Sequence, residues 1–270
     1  MAALLTIIAI AGVVCLFLYL NVWRDRWIRN KPFPQPWLDT LQSRLPPYSS
    51  LSKAEQRRLQ QLIQLFVARK RFYGCGGLVI TDEIRVTIAA EACLLLLNQG
   101  WSVYPKLFSV LVYPSAFRVD REQMRDDGTI SRANHNMLGE SWSNGKVILS
   151  WDDVEAGVSD FTDGHNVVLH EFAHQLDSAS GSTNGAPPLR RNSYKSWATV
   201  FSHNFENLQR RCLDNQETVL DPYGASNPAE FFAVATETFF EKPQQLYKKR
   251  RELYEQLSQY YQLDPRQWYE

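Results

Sequence analysis

From Val167 to Gly181 the chain reads VVLHEFAHQLDSASG, and within it His170, Glu171 and His174 spell H-E-x-x-H. Two histidines four positions apart lie on one face of a helix, one turn from each other. Their imidazoles can bind one zinc ion at about 2.0–2.1 Å each. Glu171, beside the first of them, is placed to reach a water on that ion. Zinc lowers the pKa of such a water to about 7, so a carboxylate can take its proton and deliver it to a leaving amine. The same five positions also describe a helix whose histidines cap carbonyls or fill gaps. A zinc hydrolase therefore needs a third protein ligand from elsewhere in the chain.

The metzincin extension would require glycine at position 177 and histidine at 180, and the chain has Asp177 and Ser180. Of the other histidines, His165 precedes the motif by more than a turn, His203 lies on a polar part of another helical stretch, and His135 is distant. A glutamate on a downstream helix remains, as in His₂Glu zinc peptidases. Glu230 follows Asn227-Pro228-Ala229, where asparagine is a good N-cap and proline a favoured first helical residue. The same residue at this position also completes a capping box and complements the helix dipole. Glu237 lies seven residues on, on nearly the same face, either as the ligand or as a hydrogen-bond acceptor for a ligand histidine. Asp177 is a second candidate for the latter role. Tyr223, in the loop before Glu230, is placed to donate to an oxyanion, or else is an ordinary surface tyrosine.

The 270 residues suffice for one large catalytic domain, or two small ones, with an appendage. Lys+Arg and Asp+Glu are both 29, so no global field argues for direct binding of nucleic acid. Four cysteines, none in a C-x-x-C pair, read as packing residues of a reduced compartment. Ala2 to Leu20 carries no charge and the apolar run continues to Trp23, which reaches the roughly 18–20 residues that span a bilayer. No Lys or Arg precedes the run, whereas Arg24, Arg26, Arg29 and Lys31 follow it. The positive-inside rule then places the large domain in the cytoplasm, as a single-pass protein of the inner membrane, with Trp23 and Trp27 in the interfacial belt. A cleaved signal peptide is the competing reading.

Three parts follow: a transmembrane helix over 1–23, a basic proline-rich linker over 24–48, and a catalytic domain over 49–270. Ser52-Lys53-Ala54-Glu55 starts a helix with a capping box, and another begins near Thr81 with Ile84, Ile88, Ala92 and Leu95 on one side. Phe108, Val110 and Val112 alternate as in a strand. Leu138–Trp142 and Lys146–Trp151 flank Asn144-Gly145, a strong hairpin signal, and an edge strand there would suit an extended substrate. Helices are expected from about Gly164, over Pro188–Cys212, after Asn227, and over Pro243–Tyr260. The expected class is α+β, mainly helical, with a small mixed sheet.

HEFAHQLD and DPYGASNPAEFFAVATETFF, with GKVILSW and DGHNVVLHEFAH upstream, resemble the Mlc titration factor A family of zinc peptidases over roughly Pro36 to Glu270. The resemblance implies a zincin-type domain of the gluzincin kind. It also implies one zinc on His170, His174 and Glu230, with Glu171 as catalytic carboxylate and Tyr223 as transition-state donor. It implies aminopeptidase-like activity on a peptide or protein substrate, and binding of a sugar-responsive transcriptional repressor. Familiar members are soluble, and the thermolysin-like E-x-x-x-D pattern is absent here because position 234 is Val. A regulatory protein that sequesters a repressor, with a structural or vestigial zinc site, is the rival reading. A zinc hydrolase acting on a non-peptide amide is a third.

Overall fold

A computed structural model describes residues 2–269 except 101, 116, 125–129, 138, 143 and 144, with side chains outside 2, 3, 8, 117–124, 130–137 and 139–142. Leu138 and Asn144 of the expected hairpin, and the His135 side chain, thus lie outside the described residues. Among those described, the first half of the chain forms α1 (Ala2–Arg29), α2 (Gln35–Arg44), α3 (Lys53–Arg69), β1 (Arg71–Gly74), α4 (Asp82–Leu94) and β2 (Ser109–Tyr113). The strands β3 (Phe117–Met124), β4 (Ile130–Met137), β5 (Gly139–Trp142) and β6 (Lys146–Ser150) come next. Helices complete the chain: α5 (Trp151–Ser159), α6 (Val167–Ser178), α7 (Tyr194–Leu213), α8 (Pro228–Glu241), α9 (Pro243–Lys249) and α10 (Arg251–Tyr261).

The sheet has the order β1-β2-β6-β5. β1, β2 and β6 are parallel, and β5 runs antiparallel to β6, so the sheet is mixed. Val110, Val112, Val147 and Leu149 are fully buried, as parallel strands covered by helices require. Residues 146–150 were expected at an edge, yet β6 lies inside the sheet and β5 is its edge strand. Among the described residues, β3 and β4 pair with each other and not with the four-stranded sheet.

Ser52 caps α3 in a full capping box with Glu55, as the S-x-x-E spacing predicts. α4 is buried nearly all round because α2, α3 and α6 all pack on it, where periodicity suggested a single apolar side. α7 starts at Tyr194, later than Pro188, after a 3-10 turn over Arg191–Ser193. The helical stretch after Pro243 breaks at Arg250, whose φ of −144° is not helical. Part of the proline-rich stretch is helix α2, and Leu41, Leu45 and Tyr48 sit in the core.

α1 is long and apolar enough to cross a membrane by length and composition, and its apolar window is wholly exposed. A signal sequence near an N-terminus meets the same test. All four cysteines are free.

Candidate metal centre

Asn166 begins the motif helix. Its backbone is extended and its Oδ1 accepts from Leu169 N at 2.9 Å, which satisfies one of the donors that every helix start leaves free. The far end is closed by Lys106, whose Nζ donates to Ser178 O at 2.8 Å and Ala179 O at 3.3 Å. One face of α6 is pinned by Phe172, fully buried, with its ring centroid 4.8 Å from Tyr104 and 5.6 Å from Phe66. Truncating such a ring to alanine typically costs about 3–5 kcal/mol. The other face carries His170 and His174 toward α8.

Asn227 caps α8, accepting from Ala229 N at 3.0 Å and Glu230 N at 3.1 Å, with Pro228 at the first helical position. Glu230 does not close a capping box. Its Oε2 instead reaches His170 Nε2 at 2.9 Å and His174 Nε2 at 3.3 Å, while the two Nε2 atoms stand 3.2 Å apart. His170, His174 and Glu230 are thus the group among the described residues whose ligand atoms converge closely enough to hold a metal ion.

The residues fit such an ion on two counts. A tetrahedral ion with ligand bonds of about 2.0–2.2 Å has ligand–ligand edges of about 3.3–3.6 Å. Two edges of the observed triangle are close to that range, and the third is a few tenths of an ångström short. The protonation pattern also suits it. His170 Nδ1 lies 2.7 Å from Glu237 Oε1, so the ring keeps its proton on Nδ1 and an ion that displaces the one on Nε2 would meet a lone pair there. Of the two roles open to Glu237, the geometry places it behind His170 rather than in the triangle. Its second oxygen accepts from Asn166 N at 2.6 Å, tying the histidine to the start of its own helix.

Asp177 bonds elsewhere. Its Oδ2 accepts from Gly185 N at 2.7 Å. Gly185 has φ +79°, and a Cβ there would stand 2.4 Å from Pro228 O. Glycine at this point lets one loop touch the end of α6 and the start of α8 together. Trp197 of α7 donates to Gly185 O at 2.9 Å and completes the joint.

Charge follows from this packing. Burial alone would raise the Glu230 carboxyl, but hydrogen bonds from His170 and His174 bring it down to about 2. Burial opposes charge on His170, yet Glu237 and Glu230 together hold it well above its usual value. Glu171 is 3% exposed, and its Oε2 has no hydrogen-bond partner. Burial lifts it to about 7, against the pull of His170 and His174. Tyr223 stands at the mouth, 57% exposed, with its ring centroid 6.0 Å from that of His170. Burial of its inner part, then Glu230, Glu171 and Glu237, push its hydroxyl up to about 12. It therefore keeps a proton to donate at neutral pH. His165 faces Asp221 at 3.5 Å and takes no part in the triangle.

Sequence reasoning anticipated Glu237 behind His170 but missed two buried glutamates that hold the approach to α6. Asn166 Nδ2 donates to Glu91 Oε1 at 3.2 Å, and Gly164 N donates to Glu241 Oε2 at 2.9 Å. Burial raises Glu91 to about 8 and Glu241 to about 9. A glutamate inside the apolar run AAEACLLLL was the available signal.

Residues 20–262 match the family described as glucose-regulated metallo-peptidase M90. The chain is 44% identical to the uncharacterized protein slr2042 of Synechocystis sp., over 90% of this chain and 89% of that protein. It is 31% identical to proteins named Mlc titration factor A from Yersinia pestis and Yersinia pseudotuberculosis, over 88% of this chain and 89% of theirs.

Proposed function

The chain belongs to the M90 metallopeptidase family, and from that premise we infer that it is a membrane-anchored zinc metallopeptidase that hydrolyses peptide bonds, aminopeptidase-like, on the cytoplasmic side of the inner membrane. The observation that carries this reading is the triangle of His170, His174 and Glu230, with the buried carboxylate of Glu171, whose Oε2 has no partner among the described residues, in the same site. Two imidazoles and one carboxylate are the donor set of catalytic zinc, which keeps a further position open. Zinc bound there supplies a Lewis acid for the scissile carbonyl and acidifies water.

The protein's own groups divide the remaining work. His170 and His174 present Nε2 lone pairs, and Glu237 holds the His170 tautomer. Glu171 takes a proton from the attacking water and hands it to the leaving amine. Tyr223 donates a hydrogen bond to the developing oxyanion. The same reading makes the domain a zincin of the gluzincin kind, with a membrane span over 1–23 and the catalytic domain beyond the proline-rich stretch.

One observation favours a second reading. Relatives carry the name Mlc titration factor A, which suits a regulatory protein that sequesters a transcriptional repressor and whose zinc site is structural or vestigial. Metal analysis and hydrolysis of free and blocked peptides, on the same sample of full chain, separate the two. One zinc per chain and turnover lost in Glu171→Gln, with zinc retained, are expected for the peptidase. Full zinc without turnover by the unaltered chain gives the site to the regulatory reading. Absence of zinc removes the peptidase and leaves the regulatory reading with a vestigial site.

A further inference from the structure

The last turns of α1 do not stand free of the domain. Asn21, Asp25 and Ile28 lie on one face, and Ile28 packs against the core. Arg69, at the end of α3, donates from Nε to Asp25 Oδ1 at 2.9 Å and from Nη1 to Asn21 Oδ1 at 3.5 Å. One and a half turns earlier on α3, Gln64 donates to Lys31 O at 3.2 Å and Pro32 O at 3.3 Å. Since 69 meets 21 and 25 while 64 meets 31 and 32, α3 runs antiparallel to α1. Its C-terminal end points back toward the apolar stretch that ends at Trp23.

The sheet starts where α3 ends. β1 begins at Arg71, two residues after Arg69, and the register aligns Arg71 with Ser109 and Ser109 with Lys146. Neighbouring strands lie about 4.8 Å apart, so these three starts form a row about 10 Å long. Arg71 and Lys146 are exposed at its two ends. Between them stands Phe108, 67% exposed. Its backbone is gripped from both sides: its N donates to Gly145 O at 2.8 Å, and its O accepts from Arg71 N at 3.0 Å. Gly145, at φ +70°, lets the ring lie close, since a Cβ there would come within 2.4 Å of it. The ring is therefore held in place in an exposed setting.

We propose that this row at the start of the sheet, Arg71–Phe108–Lys146, is a docking surface for anionic phospholipid headgroups of the bilayer that α1 enters. The proposal rests on the reading of α1 as a membrane span. Asn21 lies in the last turn of the span over 1–23 and Asp25 just beyond it, and the headgroup layer is about 5–7 Å deep on each side of the hydrocarbon. Arg69, bound to Asn21 and Asp25, therefore sits at headgroup level, and the strand starts lie beside it. An aromatic ring between two basic side chains is the chemistry of that layer: the ring enters the apolar boundary and the charges meet phosphate. Docking would hold the domain at a set height and tilt, so that substrate reaches the metal site from a defined direction.

The test uses full chain in proteoliposomes, with photoreactive benzoylphenylalanine at position 108 or, as control, at Val79. Val79 is 77% exposed and lies beyond the far end of β1. Position 108 should give lipid adducts several-fold above position 79, and more with anionic than with zwitterionic lipid. Arg71→Gln and Lys146→Gln should each lower the docked-to-free ratio roughly fivefold. Alkaline extraction of the same samples reads the span separately. A chain that resists extraction but gives equal adducts at both positions overturns the docking while leaving the anchor intact. A chain released by extraction overturns the anchor and the docking together. Adducts of position 108 to a second copy, in place of lipid, make the row a self-association surface and also overturn the proposal.

Discussion

Replacing Glu237 by glutamine tests the support behind the metal site with almost no change of shape. Glu237 accepts two N–H groups, His170 Nδ1–H at 2.7 Å and Asn166 N–H at 2.6 Å. A primary amide has one acceptor oxygen, so Glu237→Gln satisfies only one of the two. If the oxygen faces His170, the amide NH₂ meets the Asn166 N–H and a buried donor is stranded at the start of α6, at a cost of about 1–3 kcal/mol in stability. If the oxygen faces Asn166, His170 must move its proton to Nε2 and forfeits the lone pair that binds metal. Loss of a carboxylate behind a ligand histidine typically weakens metal binding about 10–100-fold, or about 1.4–2.7 kcal/mol. Glu230→Gln, which alters a ligand itself, should weaken binding more. Chelator competition on the full chain measures the affinity, and thermal unfolding of the metal-stripped protein measures the structural cost. Affinity within twofold of the parent in Glu237→Gln refutes the reasoning. So does a larger loss in Glu237→Gln than in Glu230→Gln, which would exchange the two roles.

Tyr223→Phe should retain metal and most substrate affinity while lowering kcat by the 2.7–4 kcal/mol typical of one oxyanion donor, about 100–1000-fold; an unchanged kcat removes the residue from the mechanism. Glu91→Gln bears on pH: burial raises the folded-state carboxyl from 4.5 to about 8. Its contribution is therefore full below about pH 4.5 and lost as pH rises to about 8, because the unfolded chain releases a proton that the fold retains. The glutamine variant should gain on the parent between pH 5 and 8 by up to roughly 4 kcal/mol in order of magnitude, read by denaturant unfolding of metal-stripped chain; a difference that stays flat over that window contradicts the argument. Ile10→Arg, in the middle of the apolar run, should weaken membrane association by about 2.5–3.5 kcal/mol in a carbonate-extraction assay, and unaltered retention would argue against a span.

The candidate triangle of His170, His174 and Glu230 was legible because each part has a local signature. H-E-x-x-H needs only a helix, and Asn227-Pro228 marks a helix start that carries Glu230 in its first turn. What spacing could not decide was whether Glu230 would cap its own helix or reach His170, since both use the same rotatable carboxylate. That choice is tertiary, made where Gly185 lets α6 and α8 approach. Glu91 and Glu241 were illegible for a related reason: a lone glutamate in an apolar run has no pattern that names its partner. The misjudged helix boundaries share a cause too. Arg250 interrupts α9 and α10 without a proline or glycine to announce it, and the 3-10 turn before Tyr194 follows Pro188, which was expected to begin the helix.

The distance along the chain between the ligands sets an order of assembly. His170 and His174 share one helix and come together as soon as it coils, but Glu230 is 60 residues from the first and 56 from the second. Two imidazoles alone leave the ion under-coordinated, and closing so long a segment brings no ligand contact until α8 docks. Capture of the ion therefore trails the folding of everything between them. On a ribosome, where the chain emerges from its N-terminus, the candidate site stays incomplete until α8 has followed α6 out, and on the proposed reading a half-made chain has no means of cutting its neighbours.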